Sequence, residues 1–490
     1  MKTEGETSLY RQILKGTAVF GGTQMLTMLT NIVKGKFVAL ILSEYGMGLS
    51  ALMQSALNPM QQLFSMGLPS SVVKDIAAEQ DAMQRAAVVK AFRRVLLLLA
   101  VLGMLAMFIG ASAFSMGTFG NTDYTSWFVA MSVALFFFIL AGGETAVLQG
   151  CRRLKEYAVC NIAAALCGLL IGVPLYYFYG VGGIVPSMVI LSFSMFLTAR
   201  IFTHRIGLPA VVQSLGESVR LSRGMLLLGF AMMLSGLTGA LTLYLINTFI
   251  RKNGGVSDVG LYQAACSITL QATALVFTAM AADYYPHLSS LTERKSDLLR
   301  LVRSEAEVVV CVMAPVISLL VLLSPLVVRL LLTARFAPVV PLVRFIALSF
   351  WGRALCFPLD YVCMSRGDRR FFFWTQGVWS NVKTLLLSVC GYWVWGLAGL
   401  GYAALAGAAV DVVVSLTLNR WRYGVCYSLG MLRVVVPFFL LNVMTLLAAC
   451  LLDGWVAYAV MLPCAACVCV LAAVLLCRRL RGGESGTCLV

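Results

Sequence analysis

ILKGTAVFGGTQMLTMLTNIVKGKFVALIL, residues 13–42, is the stretch whose reading decides the fold. It is long enough to cross a bilayer, since a spanning helix needs about 20 residues at about 1.5 Å each. It is also polar for a span. Thr23, Thr27, Asn31 and Lys34 recur at intervals of four, four and three, the spacing of one helical face. The following helix, to residue 77, repeats the pattern with Gln54, Asn58, Gln61 or Gln62, and Ser65. Pro59 lies inside that stripe, removes a backbone hydrogen bond and predicts a bend. Two consecutive spans with a polar stripe each are expected to form walls of a wet cavity rather than two anchors.

Hydrophobic residues make up 60% of the chain and charged residues 12%, with a mean hydropathy of +0.90. A soluble protein carries about 25% charged residues, so the expected class is an all-α polytopic membrane protein. The apolar runs are too long for barrel strands and do not alternate. Residues 1–11 are polar, and the apolar stretch behind them exceeds a signal-peptide core, so the first helix is expected to be retained. The net charge of +16 would suit nucleic acid, but its distribution does not. Lys and Arg gather in short loops after every second span, and the intervening loops are nearly bare apart from Arg251, Lys252 and Arg335. That asymmetry predicts cytoplasmic N- and C-termini and no nucleic-acid partner.

The 15 cysteines fall mostly inside spans, where they act as small apolar residues, and suggest no disulfide framework. Cys464, Cys467 and Cys469 approach a metal spacing, but in a membrane helix with no His nearby. No metal and no cofactor is expected. His204 and His287 are expected in cytoplasmic loops.

About 14 spans follow from the apolar runs. After the first two come residues 92–114, 127–148, 158–178 and 184–202. A polar connector, 204–223, contains Pro209 and an amphipathic piece, 211–221, expected to lie along the cytoplasmic interface. Further spans are 225–250, 261–282, 306–332, 339–363, 371–394, 397–418, 432–452 and 455–476. The second half echoes the first. Lys15-Gly16 with Gly21 returns as Arg223-Gly224 with Gly229, and Gly48-Leu49 with Ser55 as Gly260-Leu261 with Ser267. Polar stripes return too, with Ser235, Thr238 and Thr242, then Gln263, Ser267, Gln271 and Thr278. Two six-helix repeats in the same orientation are expected, with a site at their interface. The expected domains are 1–206 (helices 1–6), 207–425 (helices 7–12 with the connector) and 426–490 (helices 13–14 and a cytoplasmic tail).

Gly16, Lys36, Ala39, Leu40, Gly46, Gly48-Leu49 and the run Asp283-Tyr284-Tyr285-Pro286-His287-Leu288-Ser289 carry a family resemblance. In these residues, and in span count and repeat layout, the chain resembles the O-antigen and polysaccharide flippases. Those belong to the multidrug/oligosaccharidyl-lipid/polysaccharide exporter superfamily, together with multidrug and toxin extrusion transporters and the lipid II flippase. One departure is Ser43-Glu44-Tyr45-Gly46, expected as a loop where many relatives have a Gly-Pro turn. The resemblance implies a V-shaped pair of six-helix lobes rocking around a central cavity, with the last two helices outside the repeats. It implies as substrate a polyprenyl-diphosphate-linked oligosaccharide, moved to the outer leaflet by alternating access for cell-surface polysaccharide such as lipopolysaccharide O-antigen. It further implies a bacterial inner-membrane location, with the lipid bilayer and other polysaccharide-assembly membrane proteins as partners.

Charges inside spans need a partner, water or a route to the surface. Lys34 and Lys36 lie two residues apart, on nearly opposite faces, so only Lys34 aligns with Thr27 and Asn31. Lys34 either snorkels to the outer surface or faces the cavity. For Lys36 a functional role comes from the resemblance alone. Arg353 and Asp360 share one face, and Gln376, Ser380, Lys383 and Thr384 share another, so an Asp360–Lys383 ion pair is expected, structural or functional. Glu144 is placed near an inner helix end, and Asp411 has no assigned partner. The expected cavity lining is Thr27, Asn31, Lys34, Lys36, Gln54, Asn58, Gln61, Gln263, Ser267, Gln271, Arg353, Asp360 and Lys383. Its hydroxyls and amides suit sugars and its cations a diphosphate.

A cation- or proton-coupled multidrug antiporter is the alternative on the same fold. It calls for cavity carboxylates, and the first helix has none before Glu44. A membrane polymerase or ligase would need a sizeable outer loop, and residues 180–183, 391–395 and Asp453-Gly454 are all short. No loop carries a hydrolytic or nucleophilic constellation, and no nucleotide-binding signature is present. A transporter rather than an enzyme is expected.

Overall fold

The computed structural model describes the backbone of residues 2–290, 295–427, 429–452 and 454–484. Side chains at 2–21, 23, 24, 215, 219, 282, 283, 285, 286, 289, 290, 295, 369, 429 and 479–484 are outside the description. Thr23, most of the 283–289 run and the end of the tail therefore lie outside the described residues. Everything described is helix or short connection, with no strand among the described residues.

The helices of the first part are α1 (Lys2–Ser65), α2 (Leu68–Ala78), α3 (Ala82–Ile109), α4 (Ala111–Phe119), α5 (Thr125–Gly150), α6 (Leu154–Leu170), α7 (Gly172–Tyr179), α8 (Ile184–His204) and α9 (Leu215–Gly254). Those that follow are α10 (Val256–Ser290), α11 (Lys295–Leu331), α12 (Val339–Ser365), α13 (Arg369–Phe372), α14 (Ser380–Tyr423), α15 (Leu429–Leu451) and α16 (Gly454–Glu484). A π-helical segment, Phe373–Trp379, joins α13 to α14. The chain is a multi-pass helical membrane protein.

Eleven described segments are long and apolar enough to cross a membrane. Three of them, of 41, 51 and 54 residues, exceed one bilayer thickness by a wide margin. Each is broken inside: at Ser43, at the 3-10 turn Gly180–Gly183, and at Gly396. The expected fourteen is reached only by reading each of these three as two crossings. At Gly396 the reversal is explicit. Its φ of 58° lies in the left-handed half of backbone space, which only glycine enters without strain. A Cβ on Gly391 would meet the Gly399 carbonyl oxygen at 2.4 Å, whereas eight residues of straight helix span about 12 Å. The chain doubles back, and α14 is two antiparallel halves in backbone contact. At Ser43 a non-glycine residue holds a φ of 58°, a strained position that replaces the expected four-residue loop with a single-residue break.

By contacts the chain divides into unit 1, Met1–Val259, and unit 2, Gly260–Val490. This places α9, which the repeat pattern assigns to the second half, with unit 1. Glycines explain how closely it packs there. A Cβ on Gly229 would stand 2.5 Å from the Met66 carbonyl, and one on Gly236 would stand 2.8 Å from the Gln62 amide oxygen. Polar ties add to this: Tyr244 meets Thr118 at 3.2 Å, and Arg251 donates to the Phe119 carbonyl at 2.5 Å.

The connector differs from the expected interfacial helix. Residues 207–214 are non-helical, and α9 begins in a capping box: Glu217 N–H donates to Ser214 Oγ at 3.2 Å, and Ser214 N–H donates to Glu217 at 2.8 Å. Residues 215–221 are thus the first turns of α9 rather than part of a separate element. The connector's carbonyls are held from α3, by Lys90 at Val211 and by Arg94 at Gln213 (2.7 Å). His204 closes α8, and His287 lies within α10 rather than in a loop. In unit 2 the buried α12 packs between α11 and α14, and α15 and α16 pack together and against α11.

Candidate functional site

Pro358 shapes α12. It has no N–H to donate, and its ring crowds the carbonyls one turn back. The Leu355 carbonyl, in the turn before Pro358, accepts from Tyr427 at 2.5 Å, and the Pro358 carbonyl accepts from Tyr284 of α10 at 2.9 Å. Tyr284 is fully buried, so this part of the 283–289 run anchors α10 to α12. The turn so fixed presents Arg353 and Asp360 on one face. Opposite them, the π-helical segment widens the turn carrying Thr375, Gln376 and Trp379, and Asn381 donates to the Gly377 carbonyl at 2.7 Å.

Between these elements and the returning half of α14 lies a cavity of about 730 Å³, wholly within unit 2. Its charged lining is Arg353, Asp360, Lys383 and Asp411, and its hydroxyls and amides include Gln376, Ser380, Thr384, Ser415 and Asn419. Aromatic rings, among them Tyr361, Phe371 and Trp379, supply much of the rest.

The expected Asp360–Lys383 pair is not made. The Gly396 reversal brings Asp411 against Lys383, and these two form the ion pair. Lys383, 7% exposed, also donates to the Gly407 carbonyl at 3.0 Å. Asp360 instead faces Ser415, one turn beyond Asp411, at 3.4 Å, with the Gln376 side chain at hand. Arg353 is exposed, its guanidinium 5.3 Å from the centre of the Phe277 ring. Asp411, Ser415 and Asn419, at i, i+4 and i+8, were a legible polar stripe that escaped the sequence reading.

Gln263, Ser267 and Gln271 of α10 are half-buried outside this lining, and Gln271 Oε1 is buried with no hydrogen bond. In unit 1, Asn31 is exposed, Lys34, Lys36 and Gln61 are half-buried, and Thr27 Oγ1 is buried with no partner. Gln54 donates to Asn58 at 2.8 Å, so these two satisfy each other along one face. Lys34 points at α6, where a Cβ on Gly168 would stand 3.3 Å from its ammonium. Glu144 is 6% exposed. It accepts from Arg93 (2.5 Å), Arg200 (3.1 Å) and Thr203 (2.6 Å), which joins α3, α5 and α8.

Residues 13–292 match the family model described as polysaccharide biosynthesis protein, more than half of the chain. The chain belongs to that family. It is 24% identical over 392 residues to the lipid III flippase of Escherichia coli (strain K12), covering 77% of this chain and 90% of that protein. The match to the lipid III flippase of Shigella flexneri has the same identity and coverage. Among solved structures it is similar to a lipid II flippase in an inward closed conformation, with a TM-score of 0.69 at 12% identity, covering 95% of this chain and 99% of that one. It is also similar to an inward-facing multidrug resistance transporter, with a TM-score of 0.63 at 14% identity, covering 81% and 94%. The fold is that of the multidrug/oligosaccharidyl-lipid/polysaccharide exporter superfamily.

Proposed function

We propose that the chain is a flippase. It moves a polyprenyl-diphosphate-linked oligosaccharide from the cytoplasmic to the outer leaflet of a bacterial inner membrane by alternating access, for cell-surface polysaccharide assembly. The observation that carries this reading is a cavity of about 730 Å³ with charged, hydroxyl and amide side chains in its lining, built inside a membrane helix bundle, in a chain of a polysaccharide biosynthesis family. The relatives it matches are lipid III flippases, which supports a lipid-linked cargo. Such a cargo needs polar groups at membrane depth for its headgroup, while its tail stays in hydrocarbon. The bilayer and other polysaccharide-assembly membrane proteins are its partners in this reading, and both termini face the cytoplasm.

Thr27, Asn31 and Lys34 on one face of α1, with Gln54, Asn58 and Gln61 further along the same element, are proposed as contacts for the headgroup, and Lys34 is assigned to the diphosphate. An anion moving outward is favoured by an inside-negative potential at about 2.3 kcal/mol per charge per 100 mV. Deleting the gene in its host tests the reading. Lipid-linked oligosaccharide should accumulate inside spheroplasts, protected from an added impermeant glycosidase, and surface polysaccharide should fall. Full accessibility of the lipid-linked glycan in the deletion strain would refute the flippase assignment. Lys34→Ala should abolish complementation at unchanged abundance, while Lys34→Arg should retain part of it because the charge persists with altered geometry.

A further inference from the structure

The unit 2 cavity holds opposite charges in balance. Lys383 and Asp411 neutralise each other, and the lysine's remaining reach is taken by the Gly407 carbonyl. Among the described residues, what is left facing the space is one guanidinium, Arg353, and one carboxylate, Asp360. Among the described lining residues, a diphosphate entering here would find one free cation, Arg353, beside the free carboxylate of Asp360. An organic cation would leave Arg353 facing like charge. Either ion would stand uncompensated at membrane depth, where unbalanced charge is costly. A neutral ligand leaves the balance intact.

The rest of the lining says which neutral ligand. Asp360 accepts hydrogen bonds, Arg353 donates them, and Gln376, Ser380 and Thr384 do both. Those groups suit a molecule with a rim of hydroxyls, each donor and acceptor at once. The aromatic rings suit a flat C–H face. Trp379 lines the space with part of its ring open to it. A pyranose has both features, equatorial hydroxyls around an apolar face. The volume of about 730 Å³ falls within the range of about 300–1,000 Å³ typical of small-molecule sites, enough for more than one such ring.

We propose that the cavity within unit 2 binds uncharged sugar rings of the transported glycan, with Asp360 and Arg353 fixing the hydroxyls and Trp379 stacking on the ring face. The proposal rests on the flippase reading and adds to it a place and a preference: neutral sugars bind here, and uronic acids are disfavoured by the free carboxylate of Asp360.

Saturation-transfer NMR on the full-length protein in lipid nanodiscs tests it, with free glucose, galactose, mannose, rhamnose, N-acetylglucosamine and glucuronic acid as probes. At least one neutral sugar should receive saturation, and glucuronic acid should not. Trp379→Ala and Asp360→Asn should each weaken the binding roughly tenfold, as expected for a lost stacking or hydrogen-bonding partner. Thr384→Trp keeps every charged group, fills the space and should abolish the signal; monodispersity by gel filtration confirms that each variant is folded. Silence from all neutral sugars, stronger saturation of glucuronic acid, or a signal unchanged in Thr384→Trp would overturn the proposal. A parallel flipping assay separates the two claims. Lipid-linked glycan flipping that survives Thr384→Trp removes the sugar site and leaves the flippase reading standing, whereas absence of flipping by the wild-type protein removes the flippase reading itself.

Discussion

A carboxylate inside a membrane bundle must find donors, and Glu144 has Arg93, Arg200 and Thr203. Glu144→Gln removes the charge and leaves two guanidiniums facing each other, a change expected to cost about 2–4 kcal/mol and to lower the apparent melting temperature in detergent. Arg200→Gln should cost less, because that side chain is 44% exposed and water compensates it. Lys383 and Asp411 make a sharper case. Lys383→Met alone leaves Asp411 unpaired in the cavity wall, whereas Lys383→Met with Asp411→Leu should recover most of the lost stability. Asp360→Asn combined with Lys383→Met should show no such recovery, since those two are not partners. The residue types of this cluster were legible in the sequence as charges that required partners. Their pairing was not, because it depends on which residues the reversal at Gly396 brings face to face.

Helix existence followed from apolar length, and α12 and α15 fall where the hydropathy places them. The breaks at Ser43 and Gly396 also fall where the apolar runs end, after residue 42 and between 394 and 397, although each is one residue's φ rather than a loop. The start of α9 was legible in Ser214-Leu215-Gly216-Glu217, a capping-box spacing that outweighs the amphipathic pattern around it. Tight elements yield tests of their own. Gly399→Leu would drive a side chain into the Gly391 backbone, 1.8 Å from its carbonyl oxygen, and should prevent accumulation of folded protein. The far end of α14 is held by Asp368, between α12 and α13. Partial burial pushes its carboxyl upward, but the Phe371 N–H, Arg422 and Tyr423 outweigh that and hold it below the usual carboxylate range. A lowered folded-state value means that the contribution is complete above the ordinary value of about 4 and is lost as pH falls through the lower one. Asp368→Asn should therefore cost less than about 1 kcal/mol at pH 7, because Arg422 is largely exposed, and the difference from wild type should vanish in strong acid.

At the scale of the whole molecule, hydropathy conveyed a helical, multi-pass membrane protein, and the alternation of basic loops carried an expected orientation. Family membership and the likeness to solved exporters agree with that class. The cavity within unit 2 was visible in the sequence only as isolated charges, because its space is made by Pro358, the π-helical turn and the Gly396 reversal together. The charge alternation also carries a topology prediction. In an otherwise Cys-free protein, an impermeant thiol reagent on intact cells should label Ser257→Cys and spare Ser365→Cys; the reverse pattern would invert the orientation. The central claim is that the protein itself carries a lipid-linked sugar across the membrane. Its most direct test is a leaflet-resolved assay in proteoliposomes containing only this protein and a polyprenyl-diphosphate oligosaccharide, read by an impermeant glycosidase. Protein-dependent loss of the protected inner-leaflet pool, abolished by Lys34→Ala, is the predicted result. An inner-leaflet pool that stays protected over the same time as in protein-free vesicles would contradict it.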